Sequence, residues 1–135
     1  MEEEITIYTD GASSGNPGPS GIGIFLKYGK HEKEISRFIG SGTNNIAELE
    51  AIKTALLELK RTDIPVKIFT DSSYAQGVLT KKWKAKANIE LIKSIKEIIS
   101  KFKDIKIIKV EGHAGNTGNE KADYLATIAI KKASY

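Results

Sequence analysis

The distribution of apolar and polar residues predicts three strands in the first third of the chain. Residues 4–10 alternate between the two kinds, as in a strand with one buried face, and further strands are predicted at 22–28 and 33–39. Glycine, serine, proline and asparagine are concentrated beside these runs, so we predict loops from Gly11 to Gly21 and from Gly40 to Asn45.

Helical spacing first occurs at residues 46–60, where Leu49, Ile52, Leu56 and Leu59 form an apolar stripe. The elements predicted after it are a strand at 66–70, a helix from Ser72 or Ser73 to about Leu79, a helix marked by Ile89, Ile92, Ile95 and Ile99, a strand at 105–110 and a helix at 119–132. We write the order as βββαβαβα, which predicts an α/β fold with a five-stranded mixed sheet and helices on both faces. We expect one domain spanning 1–135.

Composition indicates the cellular compartment of the protein rather than its activity. The chain has no cysteine, which excludes disulfides and thiolate metal sites and fits the reducing cytoplasm. No apolar run approaches the ~20 residues of a membrane helix, and residues 1–4 do not resemble a secretory signal. We therefore expect a cytoplasmic protein without a membrane partner.

Charge is unevenly distributed along the chain. Residues 1–60 hold six Lys or Arg and nine Asp or Glu, whereas residues 61–135 hold fifteen and eight. The basic excess peaks between Lys81 and Lys103, where eight lysines face Glu90 and Glu97. Basic clusters of this kind attract polyanions, although a solvated helix face has the same composition.

Asp10 and Asp71 occupy equivalent positions. Each follows an apolar strand and a threonine, and precedes a small residue. Ligands of open α/β sheets bind at the carboxyl ends of strands, so the two carboxylates meet at one edge if their strands are parallel neighbours. The alternative interpretation is local: Asp10 begins a turn and Asp71 caps a helix.

Glu48 and Asp123 are acids on helices that otherwise have apolar sides. Glu48 continues the stripe of Ile52, Ala55 and Leu59, so it either faces the sheet, where a charge needs a partner, or reaches solvent from the first turn. Asp123 lies early in the last helix, whose small residues suit close packing. His113, in the glycine-rich loop before that helix, is either a group for proton transfer near neutral pH or an exposed loop residue.

Convergence of these carboxylates would require cations. Two carboxylates ~4 Å apart repel by roughly 4 kcal/mol at an effective dielectric of 20. Oxygen ligands without cysteine favour Mg²⁺ or Mn²⁺, and a pair of such metals suits in-line displacement at a nucleic-acid phosphate.

Four segments in this order resemble type 1 ribonuclease H. They are Thr9-Asp10-Gly11 with Asn16-Pro17-Gly18-Pro19, Thr43-Asn44-Asn45-Ile46-Ala47-Glu48-Leu49, Thr70-Asp71-Ser72-Ser73-Tyr74, and Gly112-His113-Ala114-Gly115 with Asn119-Glu120-Lys121-Ala122-Asp123. The resemblance implies a ribonuclease H-like fold and endonucleolytic hydrolysis of the RNA strand of RNA/DNA hybrids, leaving 5′-phosphate and 3′-hydroxyl ends.

The resemblance also implies roles for the acidic residues and the histidine. Asp10 would bridge two Mg²⁺ ions, with Mn²⁺ as a possible substitute. Asp123 would help hold the metal that activates water, and Glu48 and Asp71 the metal facing the leaving 3′-oxygen. His113 would aid product release or proton transfer, and Glu120 would influence metal occupancy.

Substrate contacts follow from the same resemblance. Asn16, Asn44 and Asn45 would read the minor groove and the 2′-hydroxyls that distinguish RNA from DNA. Thr43 and Asn88 would form a pocket for a DNA-strand phosphate. Tyr74 would line the DNA-strand channel, a role that Trp83 would share; ordinary packing is the alternative for both aromatic residues.

The chain departs from the family pattern in one long feature. The stretch from Asp71 to Asn88 is too short for the basic protrusion of some members, so Lys81, Lys82, Lys84 and Lys86 would supply part of that charge. Ser73 replaces a glutamine found in some members. Another nuclease of the same fold and a non-catalytic hybrid-binding module are the competing hypotheses, and a monomeric free enzyme is expected.

Overall fold

Five strands and four helices form the parts of the chain that the computed structural model describes, which are residues 3–81, 84–111 and 117–133. The elements are β1 (Ile5–Ser13), β2 (Gly18–Tyr28), β3 (His31–Gly42), α1 (Asn44–Glu58), β4 (Val66–Thr70), α2 (Ser73–Thr80), α3 (Ile89–Ile99), β5 (Ile105–Lys109) and α4 (Thr117–Ala133). Two helices, α2 and α3, therefore separate β4 from β5, where the string βββαβαβα has one.

The strands form one mixed sheet in the order β3-β2-β1-β4-β5. The β1–β2 and β2–β3 pairs are antiparallel, whereas β1 pairs with β4, and β4 with β5, in parallel. The predicted five-stranded mixed sheet is confirmed, and so is the parallel neighbourhood of the first and fourth strands.

The predicted loops are wrong over much of their length. Gly11, Ala12 and Ser13 pair with Ile22, Gly21 and Ser20, so β1 and β2 continue through the glycine-rich segment. Likewise β3 runs to Gly42 instead of residue 39. Glycine within a strand marks a place where another backbone approaches closely, and this occurs on both faces of the sheet.

Helices cover both faces, as predicted. A Cβ on Gly11 would lie 2.3 Å from the Ala47 carbonyl carbon of α1, and its cross-strand partner Ile22 is fully buried in the main core. A Cβ on Gly23, whose neighbours on the same strand point the other way, would lie 2.0 Å from the Ala122 oxygen of α4. The two helices thus pack on opposite faces, and both need a strand surface without side chains.

The main core lies on the α1 face and extends under α2 and α3. Its fully buried members include Ile7, Ile24, Leu49, Ile52 and Ile68. Within α3, Ile92 and Ile95 join this core as predicted, but Ile89 is 56% exposed. Among the described residues, no helix is both long and apolar enough to cross a membrane.

Candidate active site

Parallel pairing of β1 and β4 brings Asp10 and Asp71 to one edge of the sheet. Tyr8 is paired with Phe69, so the two residues that follow at equal distance along each strand, Asp10 and Asp71, lie at the same level. Asp10 is 5% exposed within β1, and Asp71 is half-buried directly after β4. The structure confirms that the two carboxylates meet at one edge, although β1 continues past Asp10 to Ser13.

Helix α1 brings Glu48 to the same edge from one face. Thr43 caps this helix by accepting a hydrogen bond at Oγ1 from the Ile46 N–H (3.1 Å), and Glu48 lies in the next turn. The Gly11 N–H donates to Glu48 Oε1 at 2.6 Å. Glu48 is only 9% exposed, so it faces the sheet and does not reach into solvent.

Asp10, Glu48 and Asp71 each place one carboxylate oxygen within 4.8 Å of the others. Asp123 approaches from the opposite face on α4 and contributes a hydrogen bond to Asp10. Asp10 is therefore the carboxylate that interacts with all three of the other acids.

Burial and like charge strongly disfavour ionisation of this group. Desolvation, followed by the charge of Asp71 and the hydrogen bond to Asp123, raises the pKa of Asp10 to about 8. Desolvation, followed by the charges of Asp10 and Asp71, raises the pKa of Glu48 well above its ordinary value, although the Gly11 N–H opposes the shift. A cation bound among these carboxyls would favour their ionised forms and oppose both shifts.

This donor set fits divalent cations. Three carboxylate oxygens within one cation's reach are hard ligands of the kind that Mg²⁺ and Mn²⁺ prefer. Exposed acidic groups commonly cluster without a metal, but two members of this cluster are buried. Burial makes mutual repulsion costly, and a bound cation relieves it.

The predicted minor-groove residues lie on one exposed patch. Asn16 is in the loop between β1 and β2, and Asn44 and Asn45 begin α1. All three are exposed, and the Asn44 N–H donates to Asn16 Oδ1 at 3.1 Å. The structure thus brings two segments that are 28 residues apart into direct contact.

The residues predicted to contact the DNA strand are held by different partners. Asn88 Nδ2 donates to the Tyr74 hydroxyl at 3.2 Å, which joins the start of α3 to α2. Asn88 has φ of 61°, in the left-handed region that asparagine tolerates best among residues with a side chain. Thr43 instead caps α1.

Four other predicted positions add little to the description of the site. His113 and Trp83 lie outside the described residues, as does Lys82. Glu120 is exposed in the first turn of α4, one turn before Asp123.

Sequence reasoning missed the glycines that allow this convergence. Gly11 admits α1, while Gly21 and Gly23 admit the small residues Ala122, Ala126 and Ala129 of α4. The available signal was the alternation Gly21-Ile22-Gly23-Ile24, in which glycine occupies every second position and therefore one face of a strand.

Fold and site together define a class of protein. A mixed sheet covered by helices, with buried carboxylates at the edge between its parallel strands, is suited to metal-dependent chemistry on phosphate esters. The family model described as RNase H matches residues 2–131, and the chain belongs to that family of nucleases.

Relatives match over their full length. The chain is 39% identical to a ribonuclease H of Chlorobium phaeovibrioides, covering 98% of this chain and 99% of the relative. It is 42% identical to a ribonuclease H of Acetivibrio thermocellus, with 98% of each covered.

Solved structures give the same result. A structure of LC11-RNase H1, isolated from compost by a metagenomic approach, superposes with a TM-score of 0.86 at 33% identity, covering 98% of this chain and 99% of the other. A second structure of LC11-RNase H1, in complex with an RNA/DNA hybrid, superposes with a TM-score of 0.82 at 32% identity, covering 97% and 99%.

Proposed function

We propose that the protein hydrolyses the RNA strand of RNA/DNA hybrids, leaving 5′-phosphate and 3′-hydroxyl ends. The observation that carries the chemistry is the cluster of Asp10, Glu48 and Asp71, two of them buried, with Asp123 beside it. The choice of substrate is supported by the complex of LC11-RNase H1 with an RNA/DNA hybrid. The match over residues 2–131 supports one catalytic domain in 1–135.

The four carboxylates would hold two Mg²⁺ ions, with Mn²⁺ as a substitute. Asp10 interacts with every other acid of the group, which makes it the natural shared ligand; Asp123 would complete one position, and Glu48 with Asp71 the other. When bound, such ions stabilise the charge that develops on phosphate oxygens during displacement. The Gly11 N–H fixes the Glu48 carboxylate, so this ligand is oriented before a cation arrives.

Substrate would lie across the edge of the sheet. Asn16, Asn44 and Asn45 would face the minor groove, and their amides can bond to 2′-hydroxyls, which DNA lacks. Tyr74, Asn88 and Thr43 would contact the DNA strand. His113 would assist product release or proton transfer, and Glu120 would tune metal occupancy.

We also propose a monomer that acts in the cytoplasm. The absence of cysteine supports a reducing compartment. Analytical ultracentrifugation tests the oligomeric state.

The test is cleavage of labelled RNA/DNA hybrid, double-stranded DNA, double-stranded RNA and single-stranded RNA, with and without Mg²⁺. We expect cleavage of the RNA in the hybrid alone, and only with Mg²⁺. Asp10→Asn and Glu48→Gln should abolish cleavage but retain hybrid binding in Mg²⁺-free buffer. Glu50→Gln is the matched control on the same helix and should be close to wild type.

Each unexpected result has a distinct meaning. Full activity of Asp10→Asn would contradict the assignment of the metal ligands. Cleavage of double-stranded DNA would favour another nuclease of this fold. Hybrid binding without cleavage under every metal condition would indicate that the protein is a non-catalytic hybrid-binding module.

A further inference from the structure

Two serine hydroxyls beside the predicted substrate surface converge on one backbone carbonyl. Ser13, at the end of β1, and Ser20 in β2 are direct cross-strand partners. Their Oγ atoms lie 3.0 and 3.2 Å from the Gly42 oxygen, and a carbonyl oxygen has two lone pairs to accept both. Gly42 ends β3 and precedes Thr43, the cap of α1, so the pair joins the end of β1 to the start of α1.

The same hydroxyls also reach the loop that carries Asn16. Each hydroxyl has one proton, which it shares between Gly42 and a second carbonyl oxygen. For Ser20 the second acceptor is Gly18, which begins β2 directly after the loop, at 2.9 Å, and for Ser13 it is Gly15 within the loop. Ser20 is fully buried although its side chain is polar. The 14–17 loop and the junction between β3 and α1, which are distant in sequence, therefore meet at this serine pair.

The hydrogen bonds of this serine pair affect the orientation of Asn16. The Asn16 amide oxygen accepts from the Asn44 N–H, which leaves its NH₂ group as the outward donor. A minor groove presents acceptors at A N3 and T O2, and the neighbouring 2′-hydroxyl of RNA also accepts. The spacing between this donor and Asn44 and Asn45 depends on how firmly the loop is fixed to α1.

We propose that Ser13 and Ser20 are positioning residues for hybrid recognition. Their hydroxyls fix the Asn16 loop against the start of α1, so that Asn16, Asn44 and Asn45 meet the minor groove as one rigid surface. This inference rests on the proposed function, because it concerns how the same substrate is held. Neither serine contacts the carboxylate cluster in its hydrogen bonds, so binding and chemistry should respond differently to their removal.

Steady-state kinetics on the hybrid separates the two effects. Ser20→Ala should raise KM about fivefold, the size expected for one net hydrogen bond, while kcat stays within about twofold of wild type. Ser94→Ala is the matched control, because Ser94 donates to the Leu91 oxygen at 2.8 Å within α3. Its KM should not change, and an equal rise in both variants would overturn the proposal.

A double-mutant cycle tests whether the serine acts through Asn16. In an Asn16→Ala background, Ser20→Ala should raise KM much less than in wild type, because the side chain that it positions is gone. Effects that multiply independently would contradict the inference. Ser13→Ala should behave like Ser20→Ala, whereas Ser13→Thr, which keeps the hydroxyl, should retain the wild-type KM.

Hydrogen exchange gives a readout that does not depend on cleavage. The Asn44 amide should be protected in wild type, exchange faster in Ser20→Ala and be unaffected in Ser94→Ala, with Asn16→Ala setting the unprotected limit. Unchanged protection of the Asn44 amide in Ser20→Ala would contradict the positioning role, whether or not the substrate is an RNA/DNA hybrid. Failure of wild type to cleave hybrids would instead count against the proposed function alone.

Discussion

At the scale of single residues, the carboxylate cluster lowers the stability of the fold but provides ligands for a cation. Asp10 and Glu48 are buried beside other acids, and both have raised pKa values because their charged forms lose solvation and face like charge. Strain of this kind at a functional site is expected to be relieved by ligand and to be visible in stability measurements.

Stability without divalent cations should therefore fall as pH rises. The Asp10 pKa is about 8 in the folded protein against an ordinary 3.8, so the folded state binds more protons than the unfolded state across this window. The contribution is fully present below pH 3.8 and is lost as pH rises through about 8. We expect a lower thermal midpoint at pH 8 than at pH 5 in EDTA, and a larger increase on adding Mg²⁺ at pH 8.

Asp10→Asn supplies the control for this prediction. Asparagine mimics the neutral carboxyl, so in EDTA the variant should melt higher than wild type, by a larger margin at pH 8 than at pH 5. Exposed Asp104→Asn should leave the pH dependence unchanged. Identical curves for wild type and Asp10→Asn would show that Asp10 is not destabilised by its surroundings.

Individual residues were predictable to the extent that periodicity places them. Glu48 continues an apolar stripe, so helical spacing points to the sheet but leaves a solvent-exposed position as the alternative, which its burial excludes. The equivalent settings of Asp10 and Asp71 follow from the Thr-Asp pattern and the parallel pairing of their strands. Ser13 and Ser20 carry no such signal, because serine is common in loops and their shared acceptor, Gly42, becomes a neighbour only through β2–β3 pairing.

At the scale of elements, the site depends on two helices that lie unusually close to the sheet. Helix α4 contacts β2 at Gly21 and Gly23 through Ala126 and Ala122, and it carries Asp123. Ser36 Oγ donates to the Leu125 oxygen at 2.7 Å, which ties the same helix to β3. The contacts of Ala122, Leu125 and Ala126 with the sheet thus determine where Asp123 lies relative to Asp10.

Gly23→Ala should disturb both the fold and the site. The added Cβ would lie 2.0 Å from the Ala122 oxygen and 2.6 Å from the Ala126 nitrogen, so α4 must move away from β2. We expect the free energy of unfolding in urea to fall by at least about 2 kcal/mol, as for overpacked cores, with reduced hybrid cleavage because Asp123 moves with the helix.

Gly42→Ala is the matched control for this glycine. Its added Cβ would meet Ile46 Cγ2 at an ordinary 3.5 Å, and its backbone conformation is one that alanine adopts. Stability should be unchanged or slightly higher. If Gly23→Ala were as stable as Gly42→Ala, the close approach of α4 would not be what glycine serves at position 23.

The same packing explains why strand boundaries were mispredicted. Glycine-rich sequence indicates loops on average, because glycine lacks side-chain contacts and is flexible. Here Gly11 and Gly21, both predicted to lie in a loop, pair within the sheet because a helix backbone occupies the space of the missing side chain. Whether a glycine-rich segment forms a loop or part of a strand is decided by tertiary contacts that no local pattern contains. The types of the elements and the mixed sheet, in contrast, follow from periodicity and from the order of the elements.

At the scale of the whole molecule, charge and chemistry are separated along the sheet. The carboxylates lie near the carboxyl end of β4, at the level of Asp10 within β1. Lys60 and Arg61 instead lie around a cavity beside Ile5 and Tyr28, where β1 begins. The basic excess after Lys81 precedes Asn88, whose side chain is joined to Tyr74 near the site. Position in the fold, more than net charge, should therefore decide which lysines contact a duplex.

Lys84 and Lys86 should contribute to the salt dependence of hybrid binding. Both are exposed and lie within four residues of Asn88. Each phosphate contact that is lost lowers the slope of log K against log salt by about 0.9, because fewer counterions are released. We expect the pair Lys84→Gln and Lys86→Gln to flatten this slope when binding is measured in the Asp10→Asn background without divalent cations.

The pair Lys30→Gln and Lys60→Gln removes the same charge from exposed positions at the opposite end of the sheet. It should leave the slope unchanged, and equal slopes for the two pairs would mean that binding responds to total charge instead of a defined phosphate contact.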